Sequence, residues 1–143
     1  MITHTSRHRQ TVWWKCEAGG QLFARINGDE WLIEEATGPR RGDVRSRFGF
    51  RPNRRAEQRE IDERFASGLH YVGDWHTHPE AVPKPSPTDL SSMQAMVSTS
   101  NHELTGFLML IFGTAMEANG LWASIHHANG RWQQLNVTMT LSR

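Results

Sequence analysis

His76-Thr77-His78-Pro79, followed by Ser86 and Asp89, gathers three side chains able to bind a metal into one short segment. The run Tyr71-Val72-Gly73-Asp74-Trp75 reads as a buried strand, which puts His76 and His78 at its end. Side chains two residues apart on an extended chain point to the same face. Asp89 follows a loop that holds four prolines between Pro79 and Pro87, and that loop can return it to the histidines. Two imidazoles and one carboxylate leave the fourth position of a tetrahedral Zn2+ open to water, an arrangement typical of catalytic zinc. The same residues also predict a helix start. Ser86 suits the N-cap, Pro87 the first helical position, and Asp89 the acid of a capping box. Capping explains Ser86 and Asp89 but not the histidines, and the two roles are compatible.

Chemistry at such a centre also needs a base that is not itself a ligand. Glu17, Glu34 and Glu35 are the candidates that the residues alone leave open. Cys16 adjoins Glu17 and could in principle be a nucleophile. The histidines are better used as ligands than as its base, so Cys16 reads as a packing residue.

The elements that must position these groups follow from pattern and punctuation. Val12 to Glu17 reads as a short helix. Gly20 to Ile26 and Glu30 to Glu35 read as strands joined by the Asn27-Gly28 turn. Val44 to Phe50 reads as another strand. Asn53 can cap a helix from Arg54 to Ser67, with Ile61 and Phe65 on its inner face and Gly68 as its stop. Leu69 to Trp75 is the strand that leads to the ligands, and a helix follows from Asp89 to about Ser98. Phe107 to Phe112 is apolar throughout, as in a central strand. Leu121 to His127 and Arg131 to Val137 form a second hairpin around Asn129-Gly130. Strands interspersed with two or three helices predict an α+β fold, a mixed sheet flanked by helices.

At 143 residues, with 37% hydrophobic residues and no repeats or linkers, the chain is expected to form a single domain, residues 1–143. No apolar run has membrane-spanning length, and the first residues lack the apolar core of a signal peptide. The single cysteine excludes an internal disulfide and fits a cytoplasmic protein. The net charge of +1 implies no class of partner. Arg40, Arg41, Arg45, Arg47, Arg51, Arg54 and Arg55 do cluster, but Glu57, Glu60, Asp62 and Glu63 follow closely. The cluster therefore reads as a solvated loop and helix start. Only Phe48 and Phe50 are interleaved with it, which argues against nucleic-acid binding.

The His-x-His, seven-residue, Ser, two-residue, Asp spacing resembles the JAMM motif of the JAB/MPN metallopeptidases. Members of that family carry a glutamate upstream in a Glu-x-Gly-Gly-x-Leu-x-Gly context, and Glu17-Ala18-Gly19-Gly20-Gln21-Leu22-Phe23-Ala24 resembles it, with Ala24 in place of the last glycine. The resemblance runs from about Glu17 to the last strands. It implies a JAB/MPN, cytidine-deaminase-like fold, with Zn2+ on His76, His78 and Asp89. It also implies that Glu17 is the proton shuttle and that Ser86 donates to the oxyanion. Only 16 residues precede Glu17, fewer than relatives carry, so the domain is expected to be trimmed there or completed by a partner.

The family further implies hydrolysis of the bond after the C-terminal Gly-Gly of a ubiquitin-like protein. Small residues suit a tail lying extended in a narrow channel over a metal. Gly73-Asp74-Trp75-His76-Thr77-His78-Pro79-Glu80 looks most like small bacterial JAB peptidases, some of which accompany E1- and E2-like proteins in anti-phage operons. The other readings are processing of a sulfur-carrier protein and a non-catalytic MPN scaffold. The complete motif argues against the scaffold. The missing His-x-Glu and Pro-Cys-x-x-Cys signatures argue against a zinc deaminase.

Overall fold

The structure is a computed structural model that describes residues 17–40, 42–45, 50–51, 53–100 and 102–140. Strands β1 (Gly19–Asn27), β2 (Glu30–Ala36), β5 (His70–Thr77), β6 (Phe107–Phe112), β7 (Leu121–His126) and β8 (Trp132–Gln134) form one six-stranded sheet in the order β2-β1-β5-β6-β7-β8. Every neighbouring pair is antiparallel except β5 and β6. That parallel pair needs a crossover, which helix α2 (Pro87–Thr99) supplies. Helix α1 (Arg54–Ala66) immediately precedes β5 in the chain. The mixed sheet with helices against it is the α+β architecture expected from the sequence.

The sheet's two faces separate cleanly. Ala18, Leu22, Ala24, Val72, Trp75, Leu108, Leu110, Phe112 and Ala123 form a cluster on one side. Met93 and Val97 of α2 pack with Phe107, Met109 and Ile111 on the other. The alternation of Leu110 and Ile111 between the clusters is the period-2 signature of a strand buried on both faces. The Arg64 guanidinium of α1 lies over the Phe23 ring, Phe23 touches Tyr71 edge-on, and the Tyr71 hydroxyl oxygen lies 2.9 Å from Met96 Sδ of α2. Both helices therefore rest against the same face.

Several expectations change. Val44 to Phe50 is not one strand. Val44–Arg45 (β3) and Phe50–Arg51 (β4) pair antiparallel with each other, so the chain reverses between them. Helix α1 is capped by Asn53 as expected, but Phe65 is 66% exposed, and Ile61 is only partly buried. Glu57 is the buried residue of the helix. The reason is a non-local partner. Arg40 is 93% buried at its side chain and pairs with Glu57 and Glu60, while its Nη2 also donates to Gln21 and Thr37. The arginine cluster is thus not wholly a solvated loop, because its first member is a buried strut between β1 and α1. The second hairpin is present but shorter than expected, with strand pairing between Leu121–His126 and Trp132–Gln134. The helix expected from Val12 falls outside the described residues up to Cys16, and Glu17 itself is not helical and stands two residues before β1. Cys16 is likewise outside the described residues.

Candidate metal centre

The centre lies where the parallel strand β5 ends and the crossover helix α2 begins. This is the place in a wound sheet where strand ends and a helix N-terminus leave a cleft. Strand β5 runs through His76 and Thr77 to His78, whose N–H donates to Phe112 O at 2.9 Å. Glu80 O accepts from Thr114 N–H and Ala81 O accepts from Ala115 N–H, which ties the proline-rich loop to the end of β6. The loop then delivers Ser86 and Asp89 to the first turn of α2.

One glycine decides which face the histidines occupy. The β1–β5 register runs from Leu22↔Gly73 to Phe23↔Tyr71 and passes over Val72, a bulge in β5. Val72 and Trp75 both belong to the cluster on one face, although three positions apart. Tyr71 and Asp74 meet on the other, where the Tyr71 hydroxyl donates to Asp74 Oδ1 at 2.7 Å. The bulge inverts the parity of the strand. His76 and His78 share the parity of Asp74 and face α2; without the bulge they would face the opposite cluster. Gly73 has φ +153°, and a Cβ there would stand 2.0 Å from Leu108 O. The alternation of β5 does not show this role, and its one signal in the sequence is the isolated glycine inside a strand pattern, the ordinary sign of a bulge.

His76 Nε2 and His78 Nε2 are 3.2 Å apart. Asp89 Oδ2 lies 3.3 Å from the first and 3.1 Å from the second. A tetrahedral ion with bonds of about 2.0–2.1 Å requires ligand–ligand edges of roughly 3.3–3.4 Å. The triangle therefore has the size that such an ion needs, and the donor set of two imidazoles and one carboxylate fits it. Among the described residues these three form the sole group of histidine, cysteine and acidic side chains with that convergence.

Asp89 does two jobs with one oxygen. Its Oδ2 also accepts the Ser86 N–H at 2.8 Å, and Ser86 Oγ accepts the Asp89 N–H at 3.0 Å, which completes the capping box. Burial works to raise the Asp89 pKa, but hydrogen bonds from His76, His78 and the Ser86 backbone hold it well below the usual carboxylate range. The cap uses a lone pair of the Ser86 hydroxyl and leaves its hydrogen able to donate elsewhere. Burial pulls the His78 pKa down, but its bond to Asp89 and the carboxylates of Glu17 and Glu80 outweigh this and raise it.

Glu17 is 8% exposed and close enough to feel both His78 and Asp89. Burial is the largest influence and pushes its pKa up to about 7. His78 opposes this, and the carboxylates of Asp89 and Glu80 add to it. It lies beside the converged donors without being one of them. The rivals are elsewhere. Glu34 pairs with Arg25, and Glu35 with Arg64, both on β2, which β1 separates from β5. The second glycine after Glu17, Gly20, has a steric basis. A Cβ on Gly20 would lie 1.6 Å from Thr37 O, the carbonyl that also accepts from Trp75 Nε1 at 2.8 Å.

Comparison with known proteins agrees with this geometry. The sequence profile described as prokaryotic homologs of the JAB domain matches residues 2–125. A protein of Escherichia coli named CD-NTase/cGAS isopeptidase is 31% identical over 79% of this chain and 72% of its own length. A namesake from Pseudomonas aeruginosa is 38% identical over 53% of this chain and half (50%) of its own length. A protein of Sinorhizobium fredii named "Probable metalloprotease y4qB" is 43% identical over 38% of this chain and 35% of its own. The solution structure of protein DSY2949 from Desulfitobacterium hafniense shares the fold, with a TM-score of 0.66, 19% identity, and coverage of 99% of this chain and 89% of that one. With a profile match over most of its length and the histidine–histidine–aspartate group in place at the end of β5, the chain belongs to the prokaryotic JAB branch of the JAB/MPN family.

Proposed function

We propose that this protein is a zinc-dependent isopeptidase that hydrolyses the bond after the C-terminal glycine of a ubiquitin-like protein. The observation that supports this most directly is the convergence of His76, His78 and Asp89 within one donor triangle, with Glu17 buried beside it and outside it. In this reading the three side chains hold the metal through His76 Nε2, His78 Nε2 and Asp89 Oδ2. When bound there, Zn2+ would polarise the scissile carbonyl and make an attacking water more acidic. Glu17 takes the proton from that water and returns it to the leaving amine. Its raised pKa, near the working pH, suits a group that must both accept and donate. The Ser86 hydroxyl donates to the carbonyl oxygen as negative charge builds, while its lone pair keeps the α2 cap. Such donors are commonly worth ~10²–10³ in rate.

The conjugate is the finer part of the proposal. Relatives named CD-NTase/cGAS isopeptidase favour an isopeptide that joins a ubiquitin-like protein to a nucleotidyltransferase of that class, in a bacterial defence system with E1- and E2-like partners. The same names favour deconjugation over processing of a sulfur-carrier precursor. The complete donor set speaks against a non-catalytic scaffold. The chain is read as one domain acting in the cytoplasm, and none of its described helices is long and apolar enough to cross a membrane.

The test is incubation of the purified, metal-analysed protein with a ubiquitin-fold protein ending in Gly-Gly, joined in one sample to a linear cargo and in another to a lysine side chain of a CD-NTase. Mass spectrometry should find cleavage directly after Gly-Gly, about one zinc per chain, and loss of both zinc and cleavage in His78→Ala. Cleavage indifferent to the two residues before the bond would indicate a general peptidase. No cleavage of either conjugate by the zinc-loaded protein would reject the proposal.

A further inference from the structure

We infer that Thr77, the residue between the two histidines, is the positioning residue for Glu17 and acts through the backbone of Ala18. This rests on the reading of Glu17 as the proton shuttle.

The alternation of β5 sends His76 and His78 to one face and Thr77 to the other, where it is fully buried. Thr77 grips Ala18 at two points. Its N–H donates to Ala18 O at 2.9 Å, and its Oγ1 accepts the Ala18 N–H at 3.0 Å. Gly19↔His76 is the last register pair of β1 with β5, so Ala18 stands opposite Thr77 just past it. In a regular antiparallel ladder such a pair would exchange two backbone bonds. Here the side-chain hydroxyl stands where a ladder carbonyl would accept, and the chain is free to leave the sheet direction at Glu17.

The geometry makes this contact specific to the carboxylate. The Ala18 N–H belongs to the peptide unit that joins Glu17 to Ala18. Its bond to Oγ1 therefore fixes the plane from which Glu17 departs. Ala18 is fully buried and cannot drift without disturbing the core cluster to which it belongs. A β-branched threonine holds few rotamers, which keeps the acceptor in place. One tripeptide thus sets both halves of the site. Its outer residues aim the metal donors, and its middle residue holds the strand that presents the base. Small displacements at such a group are costly, because a proton can be moved only within hydrogen-bond reach.

The experiment compares wild type, Thr77→Val and Thr77→Ser, each loaded with Zn2+. Valine keeps the shape and removes the acceptor, whereas serine keeps the acceptor. The readouts are zinc content, amide exchange at Ala18 by NMR, the position of the Glu17 carboxyl in crystals, and kcat and KM on the Gly-Gly cargo fusion. In Thr77→Val, zinc should stay at about one per chain and KM should hardly move, while kcat falls ~10–100-fold, the range typical of groups that orient a site. The Ala18 amide should exchange faster and the Glu17 carboxyl should shift. Thr77→Ser should restore kcat to within a few-fold of wild type.

A Thr77→Val protein with unaltered kcat, or with Ala18 exposed but Glu17 unmoved, would overturn the inference. So would a folded, zinc-loaded Thr77→Ser protein as slow as the valine variant. If Thr77→Val does not fold, the wild-type measurement still decides, because an Ala18 amide that exchanges like an unprotected one would refute the contact. If wild type fails to cleave the fusion, the functional reading fails by itself, while Ala18 exchange and the Glu17 position still judge the role of Thr77.

Discussion

Asp89 Oδ2 stands 3.1 Å from His78 Nε2 while it accepts the backbone N–H that opens α2. One carboxylate oxygen therefore joins the candidate metal centre to a helix cap, and substitutions can separate the two proposed roles. Asp89→Asn keeps an oxygen able to accept from Ser86 N–H, so the helix should lose at most ~1 kcal/mol. An amide is a poor ligand for Zn2+ beside two imidazoles, so zinc occupancy and turnover should collapse. Ser86→Ala should behave in reverse, with zinc retained, a cap loss of ~1 kcal/mol and kcat reduced ~10²–10³-fold. Metal analysis with thermal unfolding in the presence of chelator reads both. A stable, active, zinc-loaded Asp89→Asn protein would leave Asp89 as a cap alone.

The second prediction concerns the base. Glu17→Gln retains size and an acceptor but cannot take a proton. Turnover should fall by ~10²–10⁴ while zinc stays bound, since general acid–base catalysis is worth about that much. Glu34→Gln and Glu35→Gln should remain active, because these residues pair with Arg25 and Arg64 away from the centre. A dead Glu34 or Glu35 variant beside an active Glu17→Gln would move the base to β2.

The parts of this site legible in the sequence share one property. Each is set by neighbours close along the chain. The spacing of His76 and His78 follows from strand periodicity, and Ser86 with Asp89 from capping chemistry, so both appear in the structure where the residues pointed. Periodicity failed where a distant partner or a defect set the outcome. Helix α1 turns Glu57 inward and Phe65 outward because Arg40, from a different loop, supplies buried charge. The hairpin of β3 and β4 was read as one strand because partial alternation says nothing about where a chain reverses. Thr77 escaped notice for a related reason. Its partner, Ala18, is remote in sequence, and only register brings them together.

Gly73 makes the third prediction. Its bulge shifts the parity of β5, and its φ of +153° and the 2.0 Å approach to Leu108 O leave no room for a methyl group. Gly73→Ala must break the β5–β6 pairing or flatten the bulge. The first outcome should cost on the order of 3 kcal/mol or more, a size reserved for backbone clashes and core disruption. The second would turn the histidines toward the opposite cluster and abolish metal binding. Urea unfolding and zinc content together read the result. A stable Gly73→Ala protein with a full complement of zinc would show that the bulge does not aim the ligands.

The last prediction lies away from the candidate metal centre, in β7. Trp122 Nε1 donates to Ser124 Oγ at 3.0 Å, and Ser124 Oγ lies 2.9 Å from His126 Nε2. Tryptophan can only donate, so the Ser124 oxygen accepts from Trp122 and its own hydrogen is free to be given to His126 Nε2. Ser124 and His126 are both buried, with the imidazole stacked on Trp132. Burial lowers the His126 pKa from its ordinary 6.5, and the neighbouring His127 adds to this. The sign follows from linkage. Below pH 6.5 the unfolded chain gains a proton that the folded chain resists, so folding stability should fall as pH drops from 6.5 towards the lower folded value, and level off beneath it. His126→Gln can place an acceptor near Nε2 but cannot titrate. Urea midpoints measured on chelated protein at about pH 7.5 and about pH 5.5 should therefore fall more for wild type than for His126→Gln, with the contributions of the other titrating groups common to both. Equal losses in the two proteins would mean that His126 titrates alike folded and unfolded, and that burial does not hold it neutral.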